Sequence, residues 1–360
     1  YPVIEHTLQR SAADLQEIDF LLHGPQDGAG CLSFGLKVDP PAPRRTYNRT
    51  HQLAELIAAT QAIEDGRPVA AHLLEQLDPG TSMGGARPKA TIEDAQSLWL
   101  GKFPARDDRF NLQRVEFATL DLARRCGLNV AQARLQAVGA SDVLMVQRFD
   151  RAGDPVKPIR KLYASAHTVL RLRLDAAKGD PARSYLALAD RLRIWTRDGA
   201  DDHPERLGQQ LVELWKRMAF NALVGNTDDH ALNTGLLFDR VAEGSDRMAW
   251  GLSPAFDITP NVVGLPSPIA DGPHLSLATG TDGRSGTSMA RLADAAQWMG
   301  LERDDAIQWL MNTARQVAGQ WAPMLRAAAG PVIEDATRLE RLVGDVRPSF
   351  AYAEWLAQAS

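Results

Sequence analysis

Between positions 225 and 233 the chain reads GNTDDHALN, with Asp228 five residues ahead of Asn233, and a lone acid, Asp257, follows in SPAFD. A carboxylate can orient a substrate hydroxyl and accept its proton. An amide oxygen and a second carboxylate are hard-oxygen ligands, which Mg²⁺ takes together with phosphate oxygens and water. The set is suited to moving a phosphoryl group onto a hydroxyl. Asn, Asp and Gly are also frequent in plain turns, so the stretch by itself leaves a solvated acidic turn open. On that reading Asp229 is a capping or turn acid and His230 a packed loop histidine.

The surrounding elements favour the chemical reading. Upstream, Leu207, Leu211, Leu214, Met218 and Leu223 recur at helical spacing, and Gly225 and Asn226 are good stop residues. Downstream, TGLLF and MAWGL read as two strands around the turn DRVAEGSDR. Helix, acidic loop, hairpin and lone acid is the order of a protein-kinase catalytic loop. Asp228 would be the base and Asn233 and Asp257 the metal ligands. Four further pieces precede it in the expected order. SMGGARPK, containing Ser82, Gly84, Gly85, Ala86, Arg87 and Lys89, offers small residues and donors for ATP phosphates. It is neither a Walker A motif nor GxGxxG, and a glycine pair is often only a turn. Lys102, inside the apolar strand LWLGKF, could neutralise phosphates or be an edge-strand lysine in solvent. Glu116, on the next helix, would hold Lys102 as an ion pair. VQRFD places Gln147, Arg148 and Phe149 at a hinge whose backbone can read an adenine edge.

Composition bounds the rest. The chain has 360 residues, 44% hydrophobic and 24% charged, with a formal net charge of −5. Those values describe an ordinary globular protein with no general pull toward nucleic acid. Only Cys31 and Cys126 are present, without CxxC, which fits a reducing cytoplasm and argues against a structural zinc site. No apolar run is long enough to span a membrane, and no signal peptide is visible. The chain starts at Tyr1, so residues upstream are expected to have been removed or left out. GCLSFGL reads as a short strand, THQLAELIAATQAIEDG and NLQRVEFATLDLARRC as helices ended by Gly66 and Gly127, and RLQAVG and VLMVQRF as two strands. After Asp150 helical periods dominate. The expected fold is α+β and two-lobed: 1–150 a β-containing lobe with glycine-rich loop, phosphate lysine and hinge, and 151–360 a mostly helical lobe with catalytic loop and metal-binding aspartate.

In SMGGARPKA, LWLGKFP, NLQRVEFATLDLARRCGL, LMVQRFDR, FNALVGNTDDHALN and LSPAFDITP, from about residue 82 to 260, the sequence resembles the HipA family. These are serine/threonine kinases acting as toxins of bacterial toxin–antitoxin pairs. The resemblance implies a protein-kinase-like fold that uses ATP and Mg²⁺, with Asp228 as catalytic base and Asn233 and Asp257 on the metal. It implies Lys102 as a phosphate ligand, residues 147–149 as the adenine hinge, and His230 within the nucleotide-binding set. Ser82 matches the serine whose autophosphorylation silences the kinase, since a phosphate there adds about −1.5 to −2 charges to a loop meant for ATP phosphates. Family substrates include aminoacyl-tRNA synthetases, whose phosphorylation stalls growth. The implied partner is a HipB-like helix-turn-helix antitoxin, so that DNA is contacted only through it. The chain departs from the family at Leu232, where many members carry lysine, and at Gln147, where glutamate is common. Residues 1–81 are short for the N-terminal subdomain of longer members. That leaves a separate small protein supplying the missing piece, or a chain shortened at its N-terminus.

Two other functions stay open at this stage. A small-molecule or lipid kinase could use the same Asp–Asn–Asp arrangement, because acceptor choice lies in surfaces outside these motifs. An inactive kinase-like scaffold acting with a DNA-binding antitoxin is the other; intact Asp228, Asn233, Asp257 and Lys102 count against it.

Overall fold

Helix α1 (Leu53–Glu64) forms where the apolar spacing predicts it and buries Leu53, Leu56, Ile57, Ala59 and Ile63. It ends at Asp65; Gly66, at φ 66°, then turns the chain so that the Arg67 N–H reaches Ala62 O at 2.8 Å. The helix packs on a sheet of β1 (Asn48–Arg49), β2 (Lys89–Glu93), β3 (Leu98–Lys102), β4 (Ala133–Val138) and β5 (Ser141–Gln147). Their spatial order is β1-β2-β3-β5-β4, with β1 parallel to β2 and the other pairs antiparallel. Ala90, Ile92, Val143 and Met145 meet α1 on one face. By strand alternation Lys89, Thr91 and Lys102 leave from the other face. Because β3 is the middle strand, Lys102 is not an edge lysine.

These elements belong to one of two units into which the chain divides, Tyr1–Arg114 with Ala131–Tyr163. The other is Val115–Val130 with Ala164–Ser360. This computed structural model describes residues 4–5, 8–23, 27–32, 34–36, 48–74, 77, 89–106, 108, 110–155, 157–173, 179–196, 204–241, 246–261, 268–328 and 335–359. The first unit thus runs on to Tyr163, and 115–130 joins the second, where Val115, Ala118 and Leu122 line a small apolar cavity with Trp321, Leu325, Val346 and Phe350.

The described part of GCLSFGL is not a strand. Its carbonyls serve arginines instead of a ladder: Gly30 O accepts from Arg151 Nη1 at 2.9 Å and from Arg160 Nε at 3.0 Å. The same arginines belong to a buried polar network. Arg148 pairs with Asp27 at 2.6 Å and with Asp150 at 2.8 Å, and Arg151 pairs with both acids at 2.9 and 2.7 Å. Thr91 Oγ1 donates to Asp27 Oδ2 at 2.8 Å. The short ladder of β6 (Arg151–Ala152) and β7 (Ile159–Arg160) follows, bringing Arg160 beside it. Burial pushes the Asp150 carboxyl up, but the Arg148 and Arg151 guanidiniums and the Gly30 N–H outweigh it and hold it at about 2.

In the second unit, α2 (Leu112–Arg125), which begins in the first, is stopped by Gly127 at φ 82°. It is followed by β8 (Tyr163–Ser165), α3 (Tyr185–Trp195), α4 (Pro204–Leu223), β9 (Gly235–Arg240), β10 (Met248–Leu252), α5 (Met289–Trp298), α6 (Arg303–Ala328) and α7 (Ala336–Gln358). The three strands lie in the order β10-β9-β8. The last turns of α4 are buried all round, with Leu214, Trp215, Met218, Phe220, Ala222 and Leu223 sealed from solvent. Trp215 Nε1 donates to Leu292 O at 2.8 Å, and its ring meets Trp309 edge-on at 5.3 Å. Burial pushes the Cys126 thiol up to about 12, so it is inert at neutral pH. No described helix is long and apolar enough to cross a membrane.

Two stability predictions follow from this packing. A carboxyl held below its ordinary 3.8 contributes stability above that pH, lost as pH falls toward about 2. Asp150→Asn should therefore be less stable at pH 7, while the difference from wild type narrows by roughly 2 kcal/mol on acidification through this window, read by urea unfolding at each pH. At Gly225, φ is 62° and an added Cβ would lie 2.5 Å from Ser349 O of α7. Gly225→Ala should cost about 2–3 kcal/mol in the same assay, combining left-handed strain with overpacking.

Candidate functional site

The loop after α4 carries two adjacent acids that point to different surroundings. Asp228 is exposed, whereas Asp229 is buried. The Tyr185 O–H, from the first residue of α3, donates to Asp229 Oδ2 at 2.5 Å, and the Ser276 N–H donates to Oδ1 at 2.6 Å. Behind Tyr185, Asn221 Nδ2 donates to its hydroxyl at 3.1 Å, and Asn226 Nδ2 donates to Asn221 Oδ1 at 3.0 Å. Burial pushes the Asp229 carboxyl up, the Tyr185 and Ser276 donors pull it back, and the charge of Asp228 adds to the rise, leaving it at about 6. Burial also pushes the Tyr185 hydroxyl well up, so it remains a donor at neutral pH.

Asn233 closes the loop. Its Nδ2 donates to the Asp228 carbonyl at 2.9 Å, and its N–H bonds His230 O at 2.8 Å. Its Oδ1 is buried and has no hydrogen-bond partner among the described residues. An acceptor left in that state is costly, and a hard cation would satisfy it. The fit to Mg²⁺ is therefore chemical: one amide oxygen here, with a carboxylate for the second ligand. Among the described residues no group of three or more His, Cys, Asp and Glu could hold a metal without other ligands. His230 is half-buried, and its Nδ1 likewise has no partner among the described residues.

The hairpin relates Asn233 to Asp257. Asn233 lies just before β9 and Asp257 just after β10; Leu236 pairs with Leu252, and the Ser253 N–H bonds Gly235 O at 2.8 Å. Both residues thus leave the same end of the ladder. Ala255 is fixed by its N–H to Asn129 O at 2.8 Å, and Asp257 is a half-buried non-glycine residue at φ 58°. Positive φ at an aspartate is uncommon and is held only where surrounding structure imposes it.

In the first unit, Lys89 and Lys102 are direct partners across β2 and β3. Cross-strand partners share a face, so the end of this ladder carries two ammonium groups beside the point where residues 81–88 join β2. Lys89 is buried and Lys102 half-buried. Ser82, Gly84, Gly85, Ala86 and Arg87 lie outside the described residues. Gln147 donates through Nε2 to Ser97 Oγ at 2.9 Å, and its N–H bonds Gln132 O at 2.8 Å. The Arg148 N–H is taken by Leu98 O at 2.9 Å and its side chain by the buried acids. A ligand at this hinge would therefore not meet either N–H. Phe149 lies 6.0 Å from the ring of Tyr163. A cavity of about 120 Å³ opens among Gln96, Ser97, Leu98, Gln147, Arg148 and Arg151. Glu116 is buried on α2, in the second unit.

The sequence reading left Tyr185, Asn221, Asn226 and Ser276 out of the site. Tyr185 looks like any apolar residue at a helix start, and nothing local links it to an acid 44 positions away.

Comparisons with known proteins bear on the family and the fold. The profile of the HipA-like C-terminal domain matches residues 81–321. Among solved structures, HipA of the Shewanella oneidensis MR-1 toxin–antitoxin system, solved with HipB and its operator DNA, is 18% identical. That alignment covers 98% of this chain and 81% of that one, with a TM-score of 0.64. The proinflammatory kinase CtkA of Helicobacter pylori is 17% identical over 79% of this chain and 97% of that one, with a TM-score of 0.44. No curated protein matches. The chain has the α+β, protein-kinase-like fold expected from its motifs. With 81–321 of its 360 residues inside the family profile, the protein belongs to the family of HipA-like C-terminal domains.

Proposed function

We propose that this chain is an ATP- and Mg²⁺-dependent serine/threonine protein kinase of the HipA toxin type. The observation that carries the reading is the pairing of exposed Asp228 with Asn233, whose amide N–H clamps the Asp228 carbonyl while its buried oxygen lacks a partner among the described residues. Asp228 orients the acceptor hydroxyl and takes its proton onto a carboxylate oxygen as the hydroxyl oxygen bonds to the γ-phosphorus of ATP, and the bond to ADP breaks, releasing ADP. Asn233 Oδ1 and the Asp257 carboxylate would hold Mg²⁺. When bound, the ion supplies positive charge to the phosphate oxygens. Lys102 and Lys89 neutralise phosphate, and residues 147–149 border the base. His230 stands within the nucleotide-binding set, and the ion pair of Glu116 with Lys102 that the family resemblance implies belongs to the same reading.

Ser82 is the self-inactivating site: its phosphate would occupy the loop, with Gly84, Gly85, Ala86 and Arg87, that otherwise receives ATP. The acceptor outside the chain is a translation component such as an aminoacyl-tRNA synthetase. The partner is a HipB-like helix-turn-helix antitoxin, a reading supported by the HipB and operator DNA in the Shewanella complex. A cytoplasmic setting follows from these partners.

Intact mass and peptide mapping after incubation with Mg-ATP, starting from unphosphorylated protein, test the reading. Wild type should gain one phosphate on Ser82, and Asp228→Gln should lose transfer by roughly 10²–10⁴-fold while ATP still binds. Full transfer by Asp228→Gln would overturn the assignment of the base. Asp257→Ala should instead weaken Mg-ATP binding in a calorimetric titration. Ser82→Ala should remain active and no longer silence itself; undiminished autophosphorylation in that variant would remove Ser82 from the scheme.

A further inference from the structure

The catalytic loop carries a second acid that the phosphoryl-transfer scheme does not use. Asp229 is 4% exposed, and no cation pairs with it among the described residues. A buried carboxylate in that position is expensive unless its oxygens are fully engaged. Here they are engaged from two directions. One donor is the hydroxyl of Tyr185, on α3; the other is the backbone N–H of Ser276. These two anchors are tied to each other as well. The Tyr185 N–H bonds Ala278 O at 3.0 Å, the Ala278 N–H bonds Arg183 O at 3.0 Å, and Arg183 Nη2 donates to Ser276 Oγ at 2.8 Å. The loop is tied at its far side too, where Ala231 O and Thr234 O accept from the N–H groups of His167 and Ala166 at 3.0 and 2.7 Å.

We propose that Asp229 and Tyr185 are positioning residues: the Tyr185–Asp229–Ser276 clamp draws one acid of the pair into the protein and thereby fixes its neighbour, Asp228, outward where an acceptor hydroxyl can reach it. The inference rests on the reading of Asp228 as the base. Its chemistry requires a carboxylate at 229. Both of its contacts are donors, and an ionised carboxylate accepts only. An asparagine of the same shape would turn its NH₂ toward one of those donors, lose that bond and set two donors against each other. Phenylalanine at 185 keeps the buried ring but removes the donor to Asp229 and, with it, the acceptor of Asn221 Nδ2. The relay behind Tyr185 runs in a single direction, from Asn226 through Asn221 to the hydroxyl. The tyrosine proton is thereby directed at Asp229, because its oxygen is already an acceptor.

The test compares wild type, Tyr185→Phe, Asp229→Asn and Asp228→Asn in the full chain. Three quantities are read: the single-turnover rate of autophosphorylation at saturating Mg-ATP, the affinity for Mg-AMPPNP by calorimetry, and amide exchange at Ser276, Asn233 and His167. A misplacement of about 1 Å costs on the order of 10²-fold in rate. Tyr185→Phe and Asp229→Asn should therefore slow transfer by roughly 10- to 100-fold per competent nucleotide site. Mg-AMPPNP affinity should stay within about threefold, and exchange should quicken at the three amides while α4 remains protected. A merely structural contact would lower the competent fraction and leave the rate per site unchanged, which would overturn the proposal. Unchanged exchange at the three amides in both variants would overturn it too. If Asp228→Asn transfers as fast as wild type, or wild type transfers nothing, the reading of the base has failed; exchange alone then decides whether the clamp holds the loop.

Discussion

Asp229 must find its hydrogen bonds inside the protein, and the neighbourhood of the loop 225–233 is arranged around that requirement. Three separate stretches converge on it: the start of α3, the end of α4 and residues 274–279. Each supplies a donor or the group that orients a donor. Packing alone would tolerate small slides of these elements, since apolar contacts are not directional. Hydrogen bonds to a buried carboxylate do not tolerate them. Gly225 acts from the opposite side. Without a Cβ it lets α7 pass against the loop, and its carbonyl accepts the Asn261 N–H at 2.9 Å. The segment bearing Asp228 is therefore held at both ends and from beneath, while Asp228 itself stays exposed.

The first unit solves a comparable problem with paired charges. Arg148 and Arg151 are almost wholly buried, and both are shared by Asp27 and Asp150. Breaking such a network by removing one member leaves a buried charge without its partner, which is far costlier than replacing the whole. The network fastens the segment 27–30 to the strand that leads out of β5, and Thr91 connects it to β2. Lys89 and Lys102 project from the same face of the sheet.

Short-range features were legible in the sequence and long-range ones were not, and the physics separates them. Helix α4, its glycine stop, the acidic loop and the β9–β10 hairpin depend on spacings of a few residues, which the chain displays openly. Lys102 illustrates an intermediate case. Its strand was readable, but whether that strand lay at an edge or in the centre depended on pairings with residues 89–93 and 144–147. GCLSFGL alternates as a strand should, yet its carbonyls are claimed by arginines 121 to 130 positions away. Arg148 looked like a hinge residue offering itself to a ligand; its side chain is committed to Asp27 and Asp150 instead. The partnership of Tyr185 with Asp229 leaves no periodic trace at all, because a single hydroxyl in a core tyrosine does not alter the hydrophobic pattern.

A cheaper core was available beneath the loop 225–233. Apolar side chains of similar volume could replace the chain of groups from Asn226 to Asp229 and would carry no desolvation penalty. They would also leave the loop free to settle in several nearly equal positions. The polar chain excludes those alternatives, because each donor has one acceptor and any shift leaves a buried group unmatched. Stability argues against a carboxylate at 229: held at about 6, it is mostly ionised at neutral pH, and ionising a group whose proton affinity has risen on folding weakens the native state. What the carboxylate supplies in return is direction. On the proposed reading of Asp228 as a base, proton transfer from a hydroxyl depends on the placement of the accepting oxygen to within a fraction of an ångström, and a loop with one allowed position would provide that placement before any substrate arrives.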